Sequence, residues 1–157
     1  MKALLLALAL ALAPVAALAD ITVTALNGQV TTMTDKDLAD LPRATATLHN
    51  GDKATTYDGV VLSAILRASG TPVGPRAHGA PMHAYVEVTG ADGYRVVLSL
   101  AETDPEFRPN PIVLADSSNG ASLDLKSEGP YRLVITDDLK PWRAVKHVVA
   151  IAVKTAP

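Results

Sequence analysis

Apolar and polar side chains alternate along residues 83–90 and again along residues 94–100. A period of two is typical of strands, so these two runs predict a β-hairpin. A three-residue loop over residues 91–93 places the apolar positions of both runs on one face, whereas a loop of two or four residues would separate them. This loop needs a left-handed residue at its third position, which Gly93 supplies. The predicted cross-strand pairs are Val86 with Leu98 and Val88 with Val96.

Two Asn-Gly steps predict two further hairpins, because Asn-Gly favours the tight turns that join antiparallel strands. Asn27-Gly28 connects residues 21–26 with 29–33, and Asn50-Gly51 connects residues 43–49 with 52–57. In the first hairpin, a two-residue turn with positive φ at both positions puts a set of apolar residues on one face. The set is Ile21, Val23, Ala25 and Val30.

Two short helices are predicted between the hairpins. Thr34 is a helix N-cap, with Asp37 completing a shortened capping box, and this helix stops before Pro42. The second helix has an apolar face made by Val61, Leu62, Ile65 and Leu66. Gly70 is placed to end it in a left-handed cap.

The remaining pattern defines the fold class. Residues 71–82 contain three prolines and two glycines, so we expect an extended surface loop there, either functional or a plain connector. Residues 131–136 alternate as a strand, and residues 148–153 are apolar throughout, as in a central strand covered on both faces. Strands with interspersed short helices indicate a single α+β domain with a mixed β-sheet.

The first 19 residues have the pattern of a signal peptide. Lys2 precedes an apolar run, Pro14 breaks it, and Ala17-Leu18-Ala19 is a small-x-small cleavage site. The apolar run is too short to span a bilayer, so we expect no stable membrane anchor after cleavage. The predicted mature domain is residues 20–157, located in the periplasm or secreted.

Charge and cysteine content exclude several classes of function. Without Lys2 the chain has 13 basic and 16 acidic side chains, a formal charge of −3, which argues against nucleic acid or an anionic membrane as the main partner. The sequence has no cysteine, so it has no disulfide and no thiolate for nucleophilic or metal chemistry. The motifs of hydrolases, kinases, proteases and dinucleotide-binding enzymes are also missing.

Three segments follow one another in a consistent order along the chain. The first runs from Tyr-Asp-Gly-Val-Val-Leu at residues 57–62 to Gly70, the second covers residues 90–100 with Ala-Asp-Gly-Tyr in its hairpin, and the third is Gly-Pro-Tyr-Arg-Leu-Val at residues 129–134 followed by Val-Lys-His-Val-Val-Ala-Ile at residues 145–151. In this order they resemble the molybdopterin-binding domain of sulfite-oxidase-type oxidoreductases. The resemblance covers roughly residues 57–153 and implies the molybdopterin-binding fold of that family.

The resemblance also implies where a cofactor would bind. In the family, basic side chains before the last strand hold the pterin phosphate, and a cysteine thiolate ligates molybdenum. Lys146 falls on the phosphate-binding lysine. The strand that would supply the thiolate corresponds to residues 43–49, which has no cysteine. Near its end it offers only Thr45, Thr47, His49 or Asn50, and of these we expect His49 to lie nearest the metal position. Imidazole does not replace a soft thiolate, so the cofactor is left unknown, with molybdopterin allowed by the resemblance alone.

The residues themselves point to an anion site near the last strand. Arg132, Lys140, Arg143 and Lys146 lie within fifteen residues of an acidic chain, and Trp142 among them could stack on a flat ring. The alternative is a solvated basic rim with no ligand. The histidines lack the spacing of metal ligands, so no metal site is predicted.

These observations lead to two hypotheses of function. The first is an exported domain that binds a small anionic ligand, or a periplasmic protein partner, without molybdenum redox chemistry. The alternative is a molybdopterin-dependent oxidoreductase with a non-thiolate metal ligand. The cofactor-binding candidates are Lys146, Arg143, Trp142, Arg132 and His49, and whether the protein is an enzyme is left open.

Overall fold

The computed structural model describes residues 19–157. The predicted signal peptide therefore lies outside the described residues, apart from its last alanine. None of the helices within residues 19–157 is long and apolar enough to cross a membrane.

Ten strands and two short α-helices follow one another along the chain. They are β1 (Ile21–Thr24), β2 (Val30–Met33), α1 (Asp35–Ala39), β3 (Arg43–Asn50), β4 (Lys53–Val61), α2 (Leu62–Ala68), β5 (Ala84–Gly90), β6 (Arg95–Ser99), β7 (Ile112–Ser118), β8 (Ala121–Ser122), β9 (Arg132–Ile135) and β10 (Val148–Thr155). Single 3₁₀ turns lie at Gly74–Arg76, Ala80–His83, Ala101–Thr103 and Pro141–Arg143. Two of these turns interrupt residues 71–82, where an extended loop was predicted.

The strands form two five-stranded sheets. The first has the order β2-β1-β10-β5-β6 and is mixed, because β1 pairs in parallel with β10. The second has the order β3-β4-β7-β8, with β9 also pairing with β7, and all its pairs are antiparallel. This arrangement, with few short helices, confirms the predicted α+β class.

The main hydrophobic core contains residues from both sheets and from α2, including Val86, Leu98, Ile65 and Leu114. A smaller core covers the other face of the second sheet and contains Leu48, Tyr57, Val113, Leu123 and Val134. All four residues of β9 are buried, since both faces of the second sheet are covered there. The strand predicted over residues 131–136 is therefore confirmed as β9, but its side chains do not alternate between buried and exposed.

The outer face of the first sheet is more open than the sequence suggested. Along β10 the buried residues are Val148, Ile151 and Val153, while Val149 is exposed. The prediction that residues 148–153 are covered on both faces was wrong. An apolar side chain costs little at a partly exposed strand position, so composition alone does not show whether a second layer covers it.

The hairpin of β5 and β6 has the predicted register. Val86 pairs with Leu98 and Val88 pairs with Val96. Gly93 has φ +82°, and the Gly90 amide donates to the Tyr94 carbonyl at 2.9 Å. The loop of residues 91–93 is confirmed.

The first hairpin uses the same three-residue loop and not the predicted two-residue turn. Gly28 has positive φ but Asn27 does not, and the Asn27 side chain accepts a hydrogen bond from the Gln29 amide at 3.0 Å. This local hydrogen bond matches the one from the Tyr94 amide to Asp92 at 2.9 Å in the other loop. The register consequently places Val30 opposite Thr24, on the exposed face, and the prediction for Val30 was wrong.

The hairpin of β3 and β4 turns one residue later than predicted. Asn50 pairs with Lys53, so Gly51 and Asp52 form the turn, and only Gly51 has positive φ. The shift brings Lys53 next to the end of β3. Both predicted helices are confirmed: Thr34 and Asp37 form the capping box of α1, and Gly70 follows α2 with φ +95°.

Candidate functional site

A cleft of about 530 Å³, called here the first cleft, lies where four parts of the chain meet. These are the β3–β4 hairpin, the loop between β5 and β6, the start of β9 with the segment before it, and the segment that precedes β10. The lining residues are Leu48, Asn50, Lys53, Thr55, Tyr57, Asp92, Tyr94, Glu128, Arg132, Pro141, Trp142, Ala144 and Lys146. Its volume is within the range of about 300–1,000 Å³ that is usual for small-molecule sites.

The buried end of the first cleft is a hydrogen-bonded network of three side chains. Arg132, only 7% exposed, is ion-paired with Glu128 and donates to the Tyr57 hydroxyl at 3.0 Å. The Tyr57 hydroxyl donates to Glu128 at 3.1 Å, and the guanidinium lies 5.3 Å from the centre of the Tyr57 ring. Burial raises the pKa of Tyr57, although the positive charge of Arg132 acts against this shift. Arg132 is thus held and neutralised within the protein.

Two lysines line the first cleft in addition to the neutralised network. Within residues 19–157, neither Lys53 nor Lys146 forms an ion pair. Asp92 is the one other carboxylate lining the first cleft besides Glu128, and it accepts the Tyr94 amide hydrogen bond of its own loop. The first cleft therefore carries an excess of positive charge in a chain whose net charge is −2.

Two aromatic side chains lie at the exposed edge of the first cleft. Trp142 is 72% exposed and Tyr94 is 49% exposed. The Tyr94 hydroxyl donates to the Trp142 carbonyl oxygen at 2.6 Å, which ties the loop between β5 and β6 to the Pro141–Arg143 turn. This bond fixes the Tyr94 ring and the backbone of Trp142, and both exposed rings can contact a flat apolar group.

Three of the five site residues predicted from the sequence line the first cleft: Arg132, Trp142 and Lys146. Arg143 does not. Its side chain turns to Asp138, with hydrogen bonds of 2.9 and 2.6 Å, and to Glu102, with one of 3.0 Å. These partners raise the pKa of Arg143 above its usual value, the hydrogen bonds to Asp138 being the largest cause.

His49 is also absent from the lining of the first cleft. Successive side chains of a strand point to opposite faces, and the neighbours Leu48 and Asn50 both line the first cleft. His49 consequently faces the other side of β3. The end of β3 therefore presents a leucine and an asparagine to the first cleft.

Sequence reasoning missed most of the other polar residues of the first cleft, among them the ionisable side chains of Lys53, Tyr57, Asp92 and Glu128. Lys53 would have been found from a turn placed at residues 51–52, because that turn brings it beside Asn50. Tyr57 lies on the same face of the sheet as Ala46 and Leu48. Alternation along β4 could have predicted that its side chain points to that face. For Glu128, the sequence offers only its spacing of four residues from Arg132, which in a non-helical segment predicts no contact.

A second cleft of about 610 Å³ lies between α1 and the segment after β7. Its walls are largely apolar, with Leu38, Leu123, Leu125 and Pro130. Its charged groups mostly satisfy each other: Arg43 donates to both oxygens of Asp116 at 2.8 and 2.7 Å, and Tyr131 donates to Asp35. Within the described part of the chain, the charge that has no ion-pair partner in the second cleft is the negative one of Asp35, so this cleft lacks the unpaired cations that distinguish the first.

Comparison with known proteins identifies the family. Residues 15–157 match the oxidoreductase molybdopterin binding domain, so the chain belongs to that family. The fold is similar to that of the sulfane dehydrogenase SoxCD from Paracoccus pantotrophus, with a TM-score of 0.66 and 19% sequence identity. The similarity covers 87% of this chain and 38% of that one, so this chain spans well under half the length of that structure. No curated protein matches the sequence.

The first cleft does not fit a thiolate-bound molybdenum centre. The sequence contains no cysteine, and the side chains at the end of β3 that line the first cleft are Leu48 and Asn50. Within residues 19–157, no group of three or more His, Cys, Asp or Glu side chains is arranged to hold a metal ion. The lining offers oxygen donors from carboxylate, hydroxyl and amide groups, which do not replace a soft thiolate, and ammonium groups, which have no lone pair for a metal.

Proposed function

We propose that this protein is an exported binding domain whose first cleft takes a small anionic ligand with a flat ring, without molybdenum redox chemistry. One observation carries the proposal: Lys53 and Lys146, neither paired with a carboxylate within residues 19–157, line the same cleft as the exposed ring of Trp142.

Charge supports an anion as the ligand. A lysine ammonium is a point charge with three donors, and one that is not ion-paired with a protein carboxylate has donors to give to a ligand. Two such lysines in one cleft raise the local concentration of anions, which offsets the repulsion expected from a chain of net charge −2. A phosphate or carboxylate group meets both requirements.

The aromatic edge supports a ring as the second part of the ligand. Trp142 is more exposed than a tryptophan placed only for packing would be, and its backbone is fixed by the Tyr94 hydroxyl at 2.6 Å. Stacking of a flat ring on such a side chain contributes about 0.5–1.5 kcal/mol beyond the burial of area. A simple inorganic anion would leave this surface unused.

The family membership supports the place of the site, and the missing thiolate supports a change of chemistry at that place. Lys146 lies in the segment before the last strand, where the family resemblance puts the phosphate-binding lysine. The metal end of such a cofactor would meet Leu48 and Asn50, which replace the thiolate by an apolar group and an amide. A site that retains its anion-binding half alone is expected to bind and not to oxidise.

The alternative function, a molybdopterin-dependent oxidoreductase with a non-thiolate metal ligand, is favoured by the family match itself. Oxygen or amide donors in the first cleft, such as Asn50, would then have to stand in for the thiolate. The two functions differ in the metal content of the protein.

The test is to isolate the protein from the cell compartment in which it accumulates, and to measure both molybdenum and released small molecules. We expect a mature chain that begins at Asp20 in the periplasmic or secreted fraction, less than about 0.05 molybdenum per chain, and an anionic aromatic compound in the released fraction. A Lys53→Ala/Lys146→Ala variant should lose that compound, whereas Lys36→Ala, a matched exposed lysine on α1, should retain it. Stoichiometric molybdenum would contradict the proposal and support the alternative.

A further inference from the structure

We propose that His147 is a positioning residue for the first cleft: its left-handed backbone conformation directs the neighbouring Lys146 into the cleft, and Gly129 is required to make room for it. The inference rests on the proposed function, because Lys146, the residue that His147 would position, is one of the two lysines proposed to bind the ligand. It assigns roles to two residues that do not line the cleft themselves.

The first observation is an extra residue in the pairing beside β9. The Leu133 amide donates to the Val145 carbonyl at 2.8 Å, and the Val148 amide donates to the Tyr131 carbonyl at 3.0 Å. Between these two hydrogen bonds lies one residue on the β9 side, Arg132, but two residues on the other. This two-against-one arrangement is that of a β-bulge, which is often found beside functional sites, where it changes the direction of a side chain.

The second observation is the backbone of the bulge. His147 has φ +47°, and Asn119 is the one other non-glycine residue with positive φ within residues 19–157. Such a conformation costs roughly 1–3 kcal/mol for most residues and persists only where its surroundings hold it. Two hydrogen bonds do so here: the His147 amide donates to the Glu128 carbonyl at 2.8 Å, and the Ala91 amide donates to the His147 carbonyl at 2.9 Å.

The bulge explains why Lys146 faces the first cleft. Val145 and Val148 are both buried in the main core, although residues three apart on a regular strand point to opposite faces. The extra left-handed residue restores the direction of the chain after Lys146, so that Val148 can return to the core. Lys146 is then free to lie opposite Arg132 and to share its cleft, since paired residues of neighbouring strands share a face.

Gly129 is the counterpart of His147. A Cβ atom at position 129 would lie 2.7 Å from the His147 Cα atom and 2.8 Å from its ring carbon Cγ, both closer than packed atoms tolerate. Any larger residue at position 129 would push His147 away from the Glu128 carbonyl. Because this obstacle is a backbone atom, rotation of a side chain cannot remove it.

The test compares substitutions at position 147 that accept or reject positive φ. Glycine and asparagine accept it, whereas a β-branched valine rejects it. The probe is flavin mononucleotide, a planar aromatic phosphate, and riboflavin is its phosphate-free counterpart; binding is followed by quenching of Trp142 fluorescence. We expect His147→Val to weaken flavin mononucleotide binding about 10- to 150-fold, as loss of the Lys146 contact would. His147→Asn and His147→Gly should stay within about threefold of the wild type.

Two further comparisons separate positioning from a general loss of structure. In a Lys146→Ala background, His147→Val should cause no further loss of affinity, because the contact that it disturbs is already absent. Gly129→Ala should reproduce the effect of His147→Val, while Gly28→Ala, which introduces a Cβ at a similar positive φ with nothing within 4 Å, should leave affinity within about twofold. Additive losses, or wild-type affinity in both His147→Val and Gly129→Ala, would overturn the inference.

A measurement without ligand keeps the inference separate from the proposed function. Nuclear Overhauser contacts from the Lys146 side chain to cleft residues such as Trp142 and Tyr57 should persist in His147→Asn and disappear in His147→Val. If the wild type fails to bind the probe but these contacts behave as expected, the proposed ligand is wrong and the positioning role stands. Contacts that persist in folded His147→Val would overturn the positioning role whatever the result of binding.

Discussion

Arg143 donates two hydrogen bonds to Asp138, one from Nε at 2.9 Å and one from Nη2 at 2.6 Å. Its remaining nitrogen, Nη1, donates to Glu102 at 3.0 Å. The guanidinium that the sequence suggested as a ligand contact is thus used to hold the segment carrying Trp142 against the Ala101–Thr103 turn. Arginine suits this task because its fixed fork matches a carboxylate with two parallel hydrogen bonds.

The Arg143 pairing predicts that Arg143→Ala and Lys146→Ala differ in effect. Arg143→Ala should lower the free energy of unfolding by about 0.5–1.5 kcal/mol, since its ion pairs are partly screened by solvent. Its affinity for inorganic phosphate, measured by calorimetry, should change by less than about threefold. A loss of phosphate affinity as large as that of Lys146→Ala would instead make Arg143 a direct ligand contact.

Gly93 tests the loop of the β5–β6 hairpin. Its φ is +82°, and nothing lies within 4 Å of an added Cβ, so a substitution there changes backbone strain without a clash. Gly93→Val should lower the free energy of unfolding, measured in urea, by about 1–3 kcal/mol, because a β-branched residue is strongly disfavoured at positive φ. Gly93→Asn should cost less, since asparagine tolerates this conformation. Equal stability of the valine variant and the wild type would be inconsistent with the three-residue loop.

Gly59 tests the opposite case, in which the backbone is ordinary and space is missing. A Cβ at this position would lie 2.6 Å from the carbonyl carbon of Leu114, at the irregularity where β4 pairs with β7. The atoms that the new Cβ would meet belong to the backbone of β7 in the centre of the sheet and cannot move aside. Gly59→Ala should therefore lower the free energy of unfolding by about 3 kcal/mol, the upper end of overpacking effects, or prevent folding. Gly93→Ala serves as the control with strain alone and should melt at a higher temperature than Gly59→Ala.

The raised pKa of Tyr57 predicts that the protein loses stability at alkaline pH. Burial raises its pKa in the folded protein, whereas an unfolded tyrosine ionises near pH 10. Above about pH 10 the unfolded state loses its proton first, so the free energy of unfolding should fall, by at most about 1.4 kcal/mol per pH unit for this group. Below that pH the contribution is fully present. In denaturant titrations from pH 8 to 11, Tyr57→Phe should show a shallower fall than the wild type, and an identical slope would count against the raised pKa.

The sequence predicted local structure well wherever one interaction decided the outcome. For residues 83–100, one loop length reconciled the hydrophobic faces with the position of Gly93, and the register is the predicted one. For Asn27-Gly28, the dipeptide favours a two-residue turn, but the hydrogen bond between the Asn27 side chain and the Gln29 amide stabilises a longer loop. The turn preference of Asn-Gly and this hydrogen bond favour different loop lengths, and the sequence pattern does not show which of the two is stronger.

The candidate site was predicted less completely, because its members come together through long-range pairing. Lys146 and Trp142 follow from charge bias and from the family resemblance. His49 was chosen for its place at the end of β3, but alternation along that strand, which buries Ala46 and Leu48, turns His49 away from the first cleft. Lys53 depends on a turn shifted by one residue, and the commitment of Arg143 to Glu102 depends on a contact across 41 positions of sequence.

The most direct measurement is a titration of flavin mononucleotide into the wild type, Lys53→Ala and Lys146→Ala, followed by fluorescence of Trp142, the single tryptophan of the sequence. We expect saturable binding to the wild type, weakened about 10- to 150-fold in each lysine variant, and weaker binding of riboflavin, since each lysine supplies a charge-assisted contact worth about 1.5–3 kcal/mol. Lys36→Ala should bind as the wild type does. Equal affinity of the wild type and both cleft-lysine variants for flavin mononucleotide would contradict an anion site in the first cleft.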